Sequence, residues 1–445
     1  MRTQSMQTRR RFIRGKTIIG IDPAKGKHQA ALLDADGLPI GKSFSFATTY
    51  KGFHDTLWRH LQKQGIDYGP DHVIFAVETS CALWQTLVFY LDTHGYQVVL
   101  VSPFSTHHAR PSMSRDFSRT DAKDAYLIAK LAWQGSFRRY RRYDQETEAR
   151  HALAITYDKL RKNLQQNYAR LRALIERVFP ELLKVLNLDT KTARYLLERY
   201  LLPEDFLGLD LEAETRALEK VSRSQHGRET LLRIQALARR TIGLVCEPPV
   251  ARTEHLALDS WLTLIDTLEA QIAQVTDELI QLARKTPYFT PLVSLKGISS
   301  LLAALFIAEL RQPGAFTHYK QIEKMAGFDL YVCDSGQYKG RRRITHLGNP
   351  RLRWVLYRMV EETTKYVPEV RCKYLRRQLE HPNRQKNLVA SLPKLLELVM
   401  VLLEEQRPYQ QRAEAKAEVA RLEAALERRR QRRRQRQGRR GKQAA

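Results

Sequence analysis

The chain has 445 residues, enough for about three domains that each bury a core. Its composition, with 43% hydrophobic and 28% charged residues, excludes a chain that is disordered throughout. The 75 Lys and Arg residues outnumber the 48 Asp and Glu residues, and the resulting net charge of +27 indicates a nucleic-acid partner.

The cysteines and the apolar segments indicate the cellular compartment in which the protein is expected. The chain contains four widely separated cysteines: Cys81, Cys246, Cys333 and Cys372. They form no C-x-x-C pair, which argues against a zinc cluster and a disulfide framework. The basic arm, residues 1–16, lacks the apolar core of a signal peptide, and Lys394 and Glu397 interrupt the apolar stretch 388–403. We therefore expect a reduced, soluble, cytoplasmic protein that does not enter a membrane.

Short apolar runs and a helical pattern predict an α/β domain at residues 17–144. The predicted strands are Thr17–Ile21, His28–Leu33, Val73–Val77 and Gln97–Val101. The first two are expected to form a hairpin, and the helical pattern Ala82–Thr93 separates the last two. A helix that begins near Thr120 closes the domain. This alternation of strands and helices is typical of an α/β fold.

Long helices are predicted for residues 145–288. An apolar stripe there alternates steps of four and three residues: Trp261, Ile265, Leu268, Ile272, Val275, Leu279 and Leu282. The helix-breaking Pro287 ends it. This spacing predicts a coiled coil that mediates self-association, and the alternative is a core helix of an ordinary bundle.

A separate compact block is predicted for residues 289–378, followed by a helical basic extension, 379–445. The block has a helix-loop-helix around Gly297, a loop rich in Gly and Arg, and a helix from about Pro350, which indicates a nucleic-acid module. Ten of the fifteen residues Arg428–Lys442 are Arg or Lys. Such a tail suits phosphate contacts, and the alternative is a solvated disordered end.

Four acidic residues are candidates for a metal site. Asp22 and Glu78 each end a hydrophobic strand, and Asp121 and Asp124 lie three apart on one face at the start of a helix. Each one alone could be a helix cap or a turn residue. Together they suit two magnesium ions that share a phosphate between its attacking and leaving oxygens.

Two sets of motifs resemble the transposases of the insertion-sequence family IS110. The first set is Ile19-Gly20-Ile21-Asp22, Val77-Glu78-Thr79 and Arg119–Ala125. The second set is Leu295-Lys296-Gly297-Ile298, Ala326-Gly327-Phe328, Asp334-Ser335-Gly336 and Arg343–Arg353. The resemblance covers about residues 17–378. It implies a RuvC-like (RNase H-like) catalytic domain of the DEDD type and a small helical C-terminal transposase domain.

The resemblance also implies a catalytic serine. In this family a serine of the C-terminal domain acts with the acidic tetrad, and Ser335 occupies its position, where it would form a transient phosphoserine link to DNA. Basic residues that could bind nucleic acid or assist the hydroxyl are Lys296, Lys339, Arg341, Arg342, Arg343, Arg351 and Arg353. Without the resemblance, Ser335-Gly336 is an ordinary turn. The chain departs from the family at Cys333-Asp334, where a second small polar residue is frequent, and in its long basic C-terminus.

The implied partners are donor DNA, target DNA and a bridge RNA that pairs with both. Such an enzyme needs only backbone contacts, which agrees with a diffuse positive charge. The resemblance further implies a homo-oligomer, a dimer or a tetramer, with a site shared between protomers. One alternative is a RuvC-like, hydrolytic, structure-selective nuclease of the junction-resolvase kind. Another is a nucleic-acid scaffold without catalytic activity.

Overall fold

The computed structural model describes residues 6–80, 82–113, 120–331, 334–335, 338–339 and 343–443. The chain divides into two compact units, residues 1–144 and residues 145–445. Each unit is described by itself below. Within the described residues, no helix combines the length and the apolar character needed to span a membrane.

The first unit is a mixed α/β domain built on a six-stranded sheet. Its elements are α1 (Met6–Ile13), β1 (Thr17–Asp22), β2 (Lys27–Leu33), β3 (Phe44–Ala47), a π-helical segment (Gly52–Trp58), α2 (Arg59–Lys63), β4 (Val73–Glu78), α3 (Leu83–Thr93), β5 (Gln97–Val101), α4 (Pro103–Met113), α5 (Asp121–Trp133) and β6 (Arg138–Arg139). The sheet order is β3-β2-β1-β4-β5-β6. The β1–β4 and β4–β5 pairs are parallel and the other pairs are antiparallel. The four predicted strands, the β1–β2 hairpin and the helix after Thr120 are confirmed.

Helices cover both faces of this sheet, because its central strands are apolar on both sides. On one face, Ile19 and Phe75 pack with Leu57 and Leu87. On the other face, side chains such as Ile74 pack against α5. A sheet that is buried on both faces leaves its strand ends as the places where polar groups can gather.

The second unit is mostly helical. Its elements are α6 (Gln145–Val178), a 3-10 turn (Pro180–Lys184), α7 (Lys191–Leu197), α8 (Pro203–Leu207), α9 (Leu211–Ser222), α10 (Arg228–Ala238), α11 (Pro248–Arg284), α12 (Phe289–Val293), α13 (Ser300–Leu310), a 3-10 turn (Pro313–Ala315), α14 (Tyr319–Ala326), β7 (Leu330–Tyr331), β8 (Asp334–Ser335), β9 (Tyr338–Lys339), β10 (Arg343–Ile344), α15 (Pro350–Tyr366), α16 (Pro368–Glu380), α17 (Arg384–Glu405) and α18 (Ala413–Gln443). The strands form two short antiparallel pairs, β7 with β10 and β8 with β9. The basic tail is therefore part of a helix.

The long helices α6 and α11 pack against each other within the chain, in antiparallel directions. The Tyr168 hydroxyl donates to Glu269 over 2.9 Å, and Arg177, nearer the end of α6, pairs with Glu254, nearer the start of α11. The predicted apolar stripe on α11 supplies Ile265, Leu268 and Leu279 to this packing. The alternative, a core helix packed within the chain, thus accounts for part of the stripe, and self-association through its remaining, partly buried residues stays a prediction. The homo-oligomer likewise stays a prediction.

Two large cores and one smaller cluster lie within the described part of the second unit. One large core surrounds the 3-10 turn at Pro180–Lys184 and draws on residues 171–265. The other large core joins Ala154 and Leu279 to α13, α15 and α17. This second core continues across the boundaries expected at residues 288 and 378, and the division of residues 145–445 into three segments stays a prediction.

Candidate active site

Asp22 and Glu78 lie side by side at the carboxyl edge of the sheet. Ile21 of β1 pairs with Val77 of β4 in parallel register, so the next residue of each strand ends it at the same level. Glu78 is buried, with 7% of its surface exposed, and Asp22 is half-buried. Each carboxylate has a fixed position because an apolar run precedes it and forms a rigid strand.

The helix α5 brings Asp121 and Asp124 to the same edge. Thr120 caps its N-terminus by accepting a hydrogen bond from the Lys123 amide, and both aspartates lie in the first turn. The helix crosses β1 at Gly20, where a side chain would collide with the backbone at Ala125. Asp124 directly precedes this crossing, and the missing side chain at Gly20 therefore lets the helix place it beside the end of β1.

The electrostatics of Asp22 show that the acidic side chains act on one another. The pKa of Asp22 is raised from 3.8 to about 6. The largest cause is burial, and the negative charges of Glu78, Asp124 and Asp121 follow. The positive charge of Arg110 has a smaller, opposing effect. Four carboxylates at one partly buried edge repel one another unless cations compensate them. The structure thus brings together the four acidic residues that the sequence singled out.

Two residues of α4 contact this acidic cluster, and the sequence analysis missed both. The Thr106 hydroxyl donates to the Glu78 carboxylate. The Arg110 guanidinium donates to both oxygens of Asp124, through Nε over 2.9 Å and Nη2 over 2.8 Å. The one sequence signal that could have indicated Arg110 was the negative charge of the four predicted ligands, because such a cluster needs a compensating cation. The pattern of residues 103–113 itself gave no signal.

The acidic cluster fits a hard divalent cation by the chemistry of its donors. Carboxylate oxygens are the ligands that Mg²⁺ prefers, and the partly buried position excludes much of the competing water. Among the described residues, no three His, Cys, Asp or Glu side chains are arranged as a ready-made metal site. Both oxygens of Asp124 accept hydrogen bonds from Arg110, so a cation at this carboxylate would meet a competing positive charge.

The predicted nucleophile lies in the second unit, on a short hairpin. Ser335 ends β8 and pairs with Tyr338 of β9, and Asp334 pairs with Lys339. The connecting residues 336–337 and the predicted basic residues Arg341 and Arg342 lie outside the described residues. For Ser335, Lys339 and Arg343 the backbone alone is described, as strand.

The other predicted nucleic-acid contacts have partners within the second unit. Arg351 Nε donates to the buried Glu309 over 2.5 Å, and Asn349 Nδ2 donates to the same carboxylate over 2.5 Å. Arg353 donates to the backbone carbonyls of Ala326 and His346. Both arginines thus brace the segment before α15. Lys296 is exposed and lies 5.1 Å from the ring centre of Tyr366.

Comparisons with known proteins find matches for two successive parts of the chain. Residues 19–180 match a family model described as Transposase, of the DEDD type, and residues 290–375 match the Transposase IS116/IS110/IS902 family. The chain is similar to the insertion element IS116 uncharacterized 44.8 kDa protein of Streptomyces clavuligerus, with 24% identity over 402 residues, 87% of this chain and 95% of that protein. It is also similar to the pilin gene-inverting protein of Moraxella lacunata, with 29% identity over 116 residues, 26% of this chain and 34% of that protein. The two models match successive parts of the chain and together cover more than half of the sequence, and the chain belongs to the IS110 family of insertion-sequence transposases.

Proposed function

We propose that this transposase cleaves and rejoins DNA by metal-assisted transesterification through a transient phosphoserine at Ser335. The observation that carries the proposal is the convergence of Asp22, Glu78 and the α5 aspartates at one edge of the sheet. The order of its strands, an antiparallel β3-β2-β1 followed by parallel β4 and β5, supports a RuvC-like assignment for the first unit. Rigid strands and a helix start suit a site that must hold its groups precisely positioned.

The acidic residues and the serine have different roles in this proposal. Asp22, Glu78, Asp121 and Asp124 would hold magnesium, which would polarise the scissile phosphate and offset the charge that develops on it. The Ser335 oxygen forms a bond to phosphorus and its proton passes to solvent, while the bond to the leaving DNA oxygen breaks and that oxygen takes up a proton from solvent. A DNA hydroxyl later attacks the same phosphorus and releases Ser335. No net hydrolysis occurs, so the phosphodiester energy is kept for rejoining.

We further propose that a bridge RNA guides the enzyme to donor and target DNA. A positive charge of 17 remains on the chain when the ten basic residues of 428–442 are set aside. Such a spread of charge suits backbone contacts to more than one nucleic acid. RNA that co-purifies with the protein should contain segments complementary to both DNA sites. Full recombination by a preparation freed of all RNA would rule out guidance.

A covalent adduct tests the chemistry. Incubation of the full chain with magnesium and donor DNA should give a protein-DNA adduct that survives denaturation. Ser335→Ala should abolish it, whereas Ser260→Ala, which changes an exposed serine on α11, should leave it intact. Asp22→Asn should also abolish it, because the phosphate is no longer activated.

The outcomes separate the competing functions. Cleavage that persists in Ser335→Ala without an adduct would point to hydrolysis of the junction-resolvase kind. Strand transfer that is unchanged in Asp22→Asn would mean that the acidic cluster performs no chemistry, as the scaffold alternative requires.

A further inference from the structure

Arg110 is a positively charged residue that touches the acidic cluster. Its guanidinium forms a two-pronged ion pair with Asp124, in which 32% of the arginine side chain and 19% of the aspartate side chain are exposed. The hydrogen bonds to Asp124 raise the pKa of Arg110, so the group stays charged. This planar, two-bond geometry is stronger and more directional than a single contact between point charges.

The same contact withholds Asp124 from a cation. Each oxygen of the Asp124 carboxylate accepts one hydrogen bond from Arg110, at 2.9 and 2.8 Å. A magnesium ion must bind at least one of these oxygens if Asp124 is a ligand, and it repels a guanidinium at the same place. A cation that binds this carboxylate therefore competes with the guanidinium for its oxygens and its charge.

One guanidinium compensates the cluster only in part. Asp22 lies among three other carboxylates, and its own pKa is raised even with Arg110 present. Thr106, one helical turn before Arg110 on α4, holds Glu78 through a neutral hydrogen bond and adds no positive charge. Arg110 and Thr106 together thus leave part of the cluster's negative charge uncompensated, and a divalent cation would relieve it.

We propose that Arg110 is a positioning residue that competes with the divalent cation for Asp124. In the metal-free protein it keeps Asp124 oriented and lowers the repulsion within the cluster, and cation binding displaces it. The inference rests on the proposed function, since it requires Asp124 to be a metal ligand. It adds a residue outside the acidic tetrad that sets how readily the metal binds.

Direct titration with Mn²⁺ tests the competition without a measurement of activity. Free Mn²⁺ is followed by electron paramagnetic resonance in the presence of the full chain. Arg110→Gln should bind Mn²⁺ roughly tenfold more tightly than the unmodified protein, because the competitor is removed. Arg110→Lys keeps the charge but cannot donate to both oxygens of Asp124, and it should also bind more tightly. Arg59→Gln, at an exposed arginine of the same unit, should change nothing.

The variants distinguish competition from a general effect of charge. Tighter binding in Arg110→Gln alone would show a through-space charge effect and overturn the proposal, and so would unchanged binding in both variants. If Mn²⁺ does not bind the unmodified chain, or if Asp124→Asn does not weaken its binding, the proposed function itself fails. If Mn²⁺ binding depends on Asp124 but is the same in the Arg110 variants as in the unmodified chain, only the role of Arg110 fails.

The unmodified protein offers a second readout, in which a variant serves only to assign the signal. The nuclear magnetic resonance signal of the Arg110 Nε–H group, labelled with ¹⁵N and assigned by its loss in Arg110→Lys, reports its hydrogen bond to Asp124. Addition of Mg²⁺ should shift this signal toward that of a solvent-exposed arginine. A signal that stays in place while Mg²⁺ binds would overturn the proposal.

Discussion

His28 is a buried histidine of β2 that has no exposed surface. Its ring packs against Phe46 and Phe53, and Nδ1 accepts a hydrogen bond from the Ala24 amide over 3.3 Å. Its other ring nitrogen, Nε2, has no hydrogen-bond partner among the described residues. Burial lowers the pKa of His28 from 6.5 to about 4, because an imidazolium in this apolar place would lose its hydration.

We predict that this residue makes the folded chain less stable as the pH falls from 6.5 toward 4. Above pH 6.5 the ring is neutral in both states. Below it, the unfolded chain binds a proton that the folded chain accepts only near pH 4, which favours unfolding. The free energy of unfolding should fall by about 1.4 kcal/mol per pH unit in this window from this group alone. Urea unfolding of the full chain between pH 7 and 4.5 measures it.

Two variants isolate the contribution of His28 from that of other titrating groups. His28→Phe should have a smaller pH slope than the unmodified chain by about one proton, whatever its stability at pH 7. His107→Gln removes an exposed histidine and should keep the original slope. Identical slopes in the unmodified chain and His28→Phe would contradict the prediction.

The candidate site was predictable from local patterns where an acidic residue ends an apolar run or stands at the start of a predicted helix, as Asp121 and Asp124 do. Asp22 and Glu78 stand out in the first way, each at the end of a strand that the sequence predicts. Thr106 and Arg110 do not, because residues 103–113 have no apolar periodicity and Pro111 argues against a helix. Their contacts arise from the packing of α4 beside α5, which depends on the whole unit.

The crossing of β1 and α5 connects the packing of two elements with the chemistry of the site. A Cβ atom at Gly20 would lie 2.5 Å from the Ala129 nitrogen and closer still to the Ala125 carbonyl oxygen. Both are backbone atoms, which cannot rotate away as a flexible side chain could. A side chain at Gly20 must therefore push α5 away from the sheet and carry Asp124 with it.

We predict that Gly20→Ala lowers the free energy of unfolding by about 1–3 kcal/mol and also weakens Mn²⁺ binding, although no ligand is changed. Urea unfolding and the Mn²⁺ titration measure the two effects. Gly26→Ala is the matched control, because a Cβ there meets no atom within 4 Å. A Gly20→Ala chain that binds Mn²⁺ as the control does would show that α5 does not set the position of Asp124.

Helix periodicity predicted elements better than it predicted their partners. The stripe from Trp261 to Leu282 correctly indicated a long helix, and α11 spans Pro248–Arg284. An apolar stripe requires a complementary surface but does not identify it. Here α6 of the same chain, far away in sequence, supplies that surface. Neither the spacing of the apolar residues nor the number of heptads could distinguish this partner from a second copy of the chain.

The positive charge is distributed unevenly over the whole molecule. Ten of the net 27 charges lie between Arg428 and Lys442, in the last part of α18. The helix is held earlier, where Leu422 and Leu426 pack with Cys372 and Leu375. Removal of the tail after Glu427 should therefore leave this packing intact. The effect of the tail on DNA binding can then be measured without a change in folding.

We predict that a chain ending at Glu427 binds duplex DNA more weakly and with a smaller dependence on salt. The logarithm of the binding constant should fall less steeply with the logarithm of the salt concentration, by about 0.9 for each phosphate contact that the tail supplies. Fluorescence anisotropy over a salt series measures this slope, and a chain ending at Lys442 is the control because it keeps all ten charges. Binding that persists at low salt would come from the remaining charge of 17 on the body. Equal slopes for the two chains would mean that the tail makes no phosphate contact, and the charge that binds DNA would then lie wholly on the body.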